Sequence, residues 1–537
     1  MRVELETLKV LDDSSDQVVC SDPESCVNVN SGGKIAEFFR GRSVFITGGT
    51  GFLGKVLVEK LLRSCPGIST IYLLMRSNNQ SNLEERLLEF KRNRIFQRLQ
   101  SEGDASALDK LVAVRGDVTC ERLGLDDATG VLCDVSVVFH CAASVRFNEP
   151  LRRAVLLNTR GTREVTRLAM SMRALEVLVH VSTAYCNPDR AVMDEEVYPA
   201  YGDYRHVIEC VENACEDDLQ HLTRTLLGDL PNTYVFSKSL AEHVVYEQRG
   251  VLPAAIFRPS IVCPAYSEPV PGWVDSRNGP MGLLVGASAG MLRSVKGDGN
   301  KKTDLLPVDF AINAMITAAW HTAVSKRYDI PVFNCTTSSE VAVTWNQFIE
   351  LGLKEYSECP SLQAVWYPGG AIRGSALVHL MCFFFLQLIP AALLDAFLLL
   401  SLKKPWLLKA QMRIFTSLRA IEFFICKEWT FRNSNLRSLL SFMTPDDKKE
   451  FNFEASKLDL QEYIKRWVLG LRRFIMKLDD SSIPEARMKF KRLFWMHQLL
   501  LSVVCVFMLY MLVTYVRSNN MFGVGTKYIP VYLNSML

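Results

Sequence analysis

The sequence predicts an α/β protein: a doubly wound parallel sheet of Rossmann type, then a mainly helical C-terminal domain and a C-terminal transmembrane helix. Three observations carry that expectation. Short apolar runs of strand character alternate with helical patterns from Val44 to Val262. A glycine-rich turn, Thr47-Gly-Gly-Thr-Gly-Phe-Leu-Gly-Lys55, joins the first run to the first helix. Near the other end, Phe494 to Val516 is almost uniformly apolar.

At 537 residues the chain has room for more than one domain. A net charge of +3 gives no reason to expect nucleic acid as a partner. The 15 cysteines are scattered without paired short spacings, which predicts reduced thiols facing the cytosol and no metal site. Residues 1–33, rich in Ser, Asp, Asn and Val without periodicity, are expected to be a disordered leader.

The first strand is Val44 to Ile46 and the first helix Leu53 to Leu62. Gly48 permits the tight turn between them, Gly51 lets a pyrophosphate approach the backbone, and Gly54 lets the helix pack close. Thr47, Thr50, Phe52 and Leu53 complete this cofactor loop, whose helix N-terminus attracts phosphate. The pattern Thr-Gly-x-x-Gly-x-x-Gly differs from Gly-x-Gly-x-x-Gly in its first spacing. The second strand, Thr70 to Met75, ends at Arg76 where an NAD-selecting fold has an acid; an arginine there pairs with a 2′-phosphate and predicts NADPH.

Asn82 to Gln100 reads as one charged helix, either a solvated face or a basic rim for the phosphates of an anion such as coenzyme A. A third strand, Leu111 to Arg115, leads to Asp117 and Val118, expected beside an adenine. A fourth, Val135 to Phe139, leads to His140, read as a packed residue, and to Ala142, small enough to lie against the cofactor. A helix from Pro150 to Met172 carries Asn158. The fifth strand, Leu175 to Val181, ends at Ser182 and Thr183. Residues 188–230 read as an acidic, loop-rich insertion forming part of a substrate lid. A sixth strand, Ala254 to Val262, follows a helix from Tyr234 to Arg249.

Tyr234 and Lys238 lie four apart on that helix and therefore share a face. An ammonium beside a phenol lowers its pKa toward the working range of a general acid, and the lysine also reaches a nicotinamide ribose. Alone, such a pair is better explained as a surface contact; after a glycine loop and a Ser-Thr strand end the balance reverses and it reads as catalytic. Thr183, or its neighbour Ser182, is the expected hydrogen-bond donor to a substrate carbonyl, and Asn158 the helper that positions a water near Lys238.

Those motifs, with Phe257-Arg-Pro-Ser-Ile261, Gly272-Trp-Val-Asp275, Asn278-Gly-Pro280, Leu306-Pro-Val-Asp309, Phe431-Arg-Asn-Ser-Asn435 and Met443-Thr-Pro-Asp-Asp447, resemble the alcohol-forming fatty acyl-CoA reductases of animals. That family is an extended branch of the short-chain dehydrogenases, and the resemblance runs from about residue 34 to about residue 480. Gly49 stands where the family pattern usually has Ala. The resemblance implies four-electron reduction of a long-chain acyl-CoA thioester to a primary alcohol with two NADPH. It also implies an NADP-binding domain at 34–340 and a family-type helical domain at 341–480. A membrane-bound sterol or hydroxysteroid dehydrogenase shares the glycine loop and the Tyr-Lys pair but lacks the thioester step. A catalytically silent NADP-binding scaffold at a lipid surface is the third reading.

Residues 494–516 predict a single-pass anchor, with 517–537 a short tail. Arg487, Lys489, Lys491 and Arg492 precede it and only Arg517 and Lys527 follow, so the catalytic part is expected on the cytosolic side. The C-terminal Ser-Met-Leu is not the peroxisomal Ser-Lys-Leu, and endoplasmic reticulum, peroxisome and lipid droplet all remain destinations for such an anchor. A second apolar stretch, 376–402, is interrupted by Pro390 and Asp395 and reads as a membrane-dipping hairpin or an acyl tunnel rather than a clean span.

Overall fold

The computed structural model describes residues 33–76, 82–102, 105–125, 132–326 and 329–523. The expected leader, apart from Gly33, and the tail beyond 523 lie outside them. Seven strands form one sheet: β1 (Ser43–Thr47), β2 (Thr70–Met75), β3 (Leu111–Arg115), β4 (Val135–His140), β5 (Val177–Val181), β6 (Ala254–Pro259) and β7 (Val332–Cys335). Their order is β3-β2-β1-β4-β5-β6-β7, and every pairing is parallel. β1, β4, β5 and β6 are buried along their whole length, because helices cover both faces.

On one face lie α1 (Phe52–Ser64) and α4 (Val308–Ser325), whose Leu57, Leu61, Ala311 and Met315 pack on Ile46, Phe139 and Val179. On the other lie α2 (residues 151–171) and α3 (Thr233–Tyr246), with Val165, Ala169 and Val245 against Phe45, Val138 and Leu178. α2 is a continuous run made of Leu151–Ala154, a π turn at Val155–Arg160, and Gly161–Ser171.

Four expectations need correction. The segment Ala254 to Val262 splits after Pro259, which has no N–H to continue the ladder; Ile261–Cys263 then pairs with Leu305–Pro307. The charged helix breaks into Leu83–Lys91, a 3-10 turn Arg94–Phe96 and Gln97–Glu102, because the Asn93 side chain accepts from the Ile95 N–H and restarts the chain, burying Ile95 and Phe96. The insertion is not loop-rich: it holds two amphipathic helices, Tyr204–Asn213 and Glu216–Leu227. Their Val207, Ile208, Val211 and Leu219 pack on Phe236, Leu240 and Val244 of α3, the face opposite Tyr234 and Lys238, so they back α3 instead of covering those two residues. The stretch 376–402 is not a tunnel. It forms α5 (Ala376–Phe383, a π turn Phe384–Leu388, and Ile389–Leu400), with one apolar face exposed.

The core does not break at residue 340. Phe348, Tyr463 and Trp467 belong to the same buried cluster as Leu57 and Met315. After α5 and α6 (Leu407–Cys426), the short strand Thr430–Phe431 pairs with Val192–Met193, and helix α7 (Leu460–Gly470) packs on the helix Trp345–Glu358. Asp447 accepts from the N–H groups of Lys34 and Ile35, and the buried Lys60 of α1 donates to Glu268, to the Glu450 carboxylate and to the Glu450 carbonyl. The last helix, α8 (Ile483–Gly523), exposes apolar side chains from Trp495 to Val516.

Candidate active site

The order of the sheet reverses between β1 and β4, which opens a crevice at the carboxyl ends of the strands. Gly48 turns there with φ of +73°, and a Cβ on it would stand 2.6 Å from the Ala142 nitrogen. The turn after β1 therefore lies directly on the chain leaving β4. Three hydrogen bonds lock this contact. The Ala142 N–H donates to Thr47 Oγ1 at 3.3 Å, the Thr47 hydroxyl meets His140 Nδ1 at 2.7 Å, and His140 Nε2 meets Thr162 Oγ1 at 3.0 Å. Thr162 in turn donates to the Asn158 carbonyl at 2.6 Å. Burial, then the charge of Lys238, lowers the His140 pKa to about 3, so the imidazole is neutral. With Thr47 donating to Nδ1, Nε2 carries the proton. His140 is thus a packed connector, as its lack of a neighbouring acid suggests.

Asn232 caps α3 by accepting from the Val235 N–H at 3.0 Å, and the Thr233 hydroxyl donates to the Glu149 carbonyl at 2.8 Å. These contacts set Tyr234 in the first turn. Tyr234, Lys238, Ser182 and Thr183 share one cavity of about 370 Å³ with Gly48, Gly51, Phe52, Leu53 and Gly54. The Thr183 hydroxyl lies near the Tyr234 phenol and favours its ionised form. Ser182 is buried beside Glu242.

Two details depart from the sequence reading. Lys238 does not lower the Tyr234 pKa: its ammonium donates to the Val181 carbonyl at 2.6 Å, and burial pushes the phenol up to about 12 despite the neighbouring Thr183 hydroxyl. Tyr234 is consequently protonated at neutral pH. The Asn158 side chain is already committed. Its Oδ1 accepts from the Ser144 N–H at 2.8 Å, and its Nδ2 donates to Ser237 Oγ at 2.9 Å and to the Ser144 carbonyl at 3.2 Å. It clamps the loop after β4 to α3, between Tyr234 and Lys238.

Arg76 follows β2, exposed, at the same sheet edge. Asp117 follows β3; its Oδ1 accepts from the Thr119 N–H at 2.9 Å and the Thr119 hydroxyl at 2.8 Å, while Val118 is buried. The basic helix does not gather at the cavity: Lys91 lies 3.8 Å from Asp109 and Arg98 3.5 Å from Glu268.

One turn beyond Lys238, Glu242 meets Arg258 of β6 in a buried two-pronged pair, at 2.8 and 2.6 Å. Arg258 also donates to the carbonyls of Asp194 and Glu196 at 3.1 and 2.8 Å. Burial alone would raise the Glu242 pKa, but the Arg258 charge and hydrogen bonds hold it below the usual carboxylate range. Sequence reasoning gave this pair no role, and it also missed a second set of residues. Ile421, Phe424 and Ile425 of α6, with Phe147, line the cavity. The Phe147 ring lies 5.6 Å from Tyr234 and 5.1 Å from Phe424. An apolar stripe at i, i+3 and i+4 reads the same whether it packs a core or lines a substrate site.

Two family profiles, each described as "Male sterility protein", match residues 46–315, an NAD-binding region, and 386–478. The chain is 37% identical over 461 residues to Fatty acyl-CoA reductase 1 of Rattus norvegicus, covering 86% of this chain and 89% of that protein. It is 34% identical over 467 residues to Fatty acyl-CoA reductase 2 of Bos taurus, covering 87% and 90%. Among solved structures it resembles the terminal R domain of the myxalamid PKS-NRPS pathway (TM-score 0.54, 19% identity, 81% of this chain and 91% of that one). It also resembles the reductase domain of a nonribosomal peptide synthetase from Mycobacterium tuberculosis (TM-score 0.52, 17% identity, 83% and 95%). These structural likenesses establish a shared fold.

Glu242→Gln leaves Arg258 as a buried cation without its countercharge, so urea denaturation should reveal a loss of about 3–5 kcal/mol of stability. An unchanged midpoint would mean the pair is dispensable.

Proposed function

This chain belongs to the fatty acyl-CoA reductase family, and on that premise we propose that it reduces a long-chain fatty acyl-CoA to the primary alcohol with NADPH, retaining the aldehyde between steps and releasing coenzyme A. The observation that carries the reading is a convergence. A protonated phenol, a lysine and a threonine hydroxyl share one predominantly apolar cavity with a glycine cradle. The hydroxysteroid and silent-scaffold readings fall away because the relatives along most of the chain are fatty acyl-CoA reductases.

The residues present fit a dinucleotide. A Cβ on Gly54 would lie 2.3 Å from the Gly48 carbonyl, so the loop keeps its bare backbone against the N-terminus of α1. Thr47, Gly48, Thr50, Gly51, Phe52, Leu53 and Gly54 would hold the pyrophosphate side. Asp117, Val118 and Ala142 would flank the remainder, and Arg76 would pair with the 2′-phosphate. When bound, NADPH supplies the hydride for each two-electron reduction. Tyr234 donates to the carbonyl oxygen, first of the thioester and then of the aldehyde, and Thr183 steadies the same oxygen. Ser182 and Asn158 act behind them, Ser182 beside Glu242 and Asn158 through its clamp on α3. Lys238 holds the ribose hydroxyls. The apolar α8 is compatible with a membrane anchor. The basic flank before it favours a cytosolic catalytic part.

Incubating the protein with NADPH and palmitoyl-CoA tests the reading through stoichiometric release of free thiol and appearance of hexadecanol; absence of both defeats it. Tyr234→Phe should cut turnover by at least about 10²-fold while NADPH still binds. Turnover at the original rate would remove Tyr234 from the chemistry. Arg76→Asp should shift the NADPH-over-NADH preference by about tenfold or more, the equivalent of about 1.4 kcal/mol lost from the 2′-phosphate contact. Equal preference before and after would assign cofactor choice elsewhere.

Lys238 gives a pH dependence. Burial lowers its pKa from 10.5 to about 8. As pH rises through about 8 the folded protein loses this proton before an unfolded chain would. The cost of the buried charge is then relieved, so the penalty Lys238 imposes on folding falls away as pH rises from about 8 to about 10.5. The ammonium needed at the ribose is lost over the same interval. NADPH affinity should therefore fall above about pH 8, and titration of cofactor binding against pH checks this; an affinity flat to pH 10 contradicts the assignment.

A further inference from the structure

The apolar exterior of α5 has no covering element among the described residues, and the way it is fastened argues for what covers it. Its inward residues fall at every fourth position: His379, Phe383, Gln387, Ala391 and Asp395 are all buried. In a regular α-helix of 3.6 residues per turn such a row drifts around the axis; the π turn at Phe384–Leu388 widens one turn and holds the row toward the protein. The polar members of the row are hooks. His379 Nδ1 pairs with Ser294 Oγ at 2.9 Å, and Gln387 Oε1 accepts from the N–H groups of Arg293 and Ser294. Asp395 accepts from the N–H groups of Trp406, Leu407 and Leu408 at 2.9, 3.0 and 2.8 Å, capping α6. The acid that seemed to interrupt an apolar segment is the hinge of a helical hairpin.

The outward face carries Leu377, Phe385, Leu393, Phe397, Leu400 and Leu402, all more than half exposed. At the hairpin tip and along α6, Lys403, Lys404, Trp406, Lys409 and Arg413 are exposed, and Asp395 is the only acid from Ala376 to Ile421. Apolar bulk rimmed by cations and an indole is the pattern of a helix lying in a bilayer interface. The hairpin is also tied to the anchor. The Arg293 guanidinium donates to the Tyr367 carbonyl at 2.7 Å, and the Tyr367 ring stacks on His497 of α8 at 5.5 Å. The Trp366 indole donates to His497 Nδ1 at 3.2 Å. Two consecutive residues, Arg293 and Ser294, thus join the hairpin to the point where α8 leaves the protein.

We propose that α5 and the first half of α6 lie in the surface of the same bilayer that α8 enters, and that α6 leads the acyl chain from that bilayer to the active-site cavity. The second half of α6 lines the cavity through Ile421, Phe424 and Ile425. Its first half is pinned under α5 by the Phe383–Phe415 stack at 4.5 Å. One helix of about 30 Å therefore runs from the lipid face to Tyr234. A transmembrane position for α5 is disfavoured, because its middle is hydrogen-bonded to polar backbone beside the short strand Ser294–Lys296, which hydrocarbon would not solvate. The delivery role rests on the acyl-CoA reductase reading; the lipid contact does not.

The test uses the full chain reconstituted in phosphatidylcholine–phosphatidylserine vesicles, with p-benzoylphenylalanine placed at position 393, 397 or, as a control, the exposed position 432. Irradiation should join lipid to positions 393 and 397 and not to 432. An adduct of doubled protein mass, showing a second copy on this face, or no adduct at 393 and 397, overturns the proposal. Leu393→Gln with Phe397→Gln should raise KM for vesicle-borne palmitoyl-CoA by about tenfold with kcat retained; an unchanged KM overturns delivery. A wild-type protein inactive on every acyl-CoA yet joined to lipid would defeat the catalytic reading and uphold the membrane contact.

Discussion

One buried ammonium sets the state of the groups around it. Lys238 is enclosed by protein, which costs it solvation. Two features of the fold offset that cost: the Val181 carbonyl accepts from it, and the Glu242 carboxylate lies one helical turn away. Glu242 remains charged because Arg258 pairs with it, and Arg258 is held by two carbonyls from the chain that precedes the insertion helices. The same ammonium, added to burial, keeps both His140 and His180 neutral. Burial also raises the Cys141 thiol to about 12, so this thiol stays protonated and unreactive. In the proposed chemistry this leaves Tyr234 as the proton donor at the carbonyl and Lys238 as the cation at the ribose.

The C-terminal half is part of this arrangement. Burial of Tyr234, the main cause of its raised pKa, depends on Phe147, and Phe147 packs on Phe424 of α6. Tyr185 is boxed by Phe424, Trp429 and Phe431 at 5.6, 5.3 and 5.3 Å. Charge–dipole and hydrogen-bond interactions strengthen as water is excluded, so in the proposed chemistry a wall of C-terminal aromatic rings acts without touching the reacting atoms.

Much of this was legible in the sequence, for identifiable reasons. Fully buried parallel strands are uninterrupted apolar runs, so β1 to β5 stood within a residue or two of their places. The glycine loop was legible because backbone approach leaves no freedom of residue type: Gly48 meets Ala142 and Gly54 meets Gly48. The Tyr-Lys spacing gave a shared helix face, and the cavity does contain both residues. Other features depend on distant partners and were not legible. The destination of the Lys238 ammonium depends on where β5 ends, the task of Asn158 depends on Ser144 and Ser237, and the insertion helices were disguised by acidic side chains on their outer faces. Asp395 misled most directly. A carboxylate in an apolar run reads as a break, yet here it satisfies the N-terminal N–H groups of the next helix.

The proposed acyl route, along the same helix that walls the cavity, has a consequence for the two-step reaction. An aldehyde formed beside Tyr234 has lost the charged coenzyme A that kept its parent soluble, and it is more apolar than the thioester it came from. Water offers it little, while Ile421, Phe424, Ile425 and Phe147 offer continuous apolar contact. Burial of roughly 25 cal/mol per Å² along a long alkyl chain holds such a molecule without any bond to its reactive end. In the proposed reaction, retention between reductions is then a property of the tail. The catalytic groups need bind the carbonyl only weakly in the ground state, which leaves their hydrogen bonds to strengthen where charge develops.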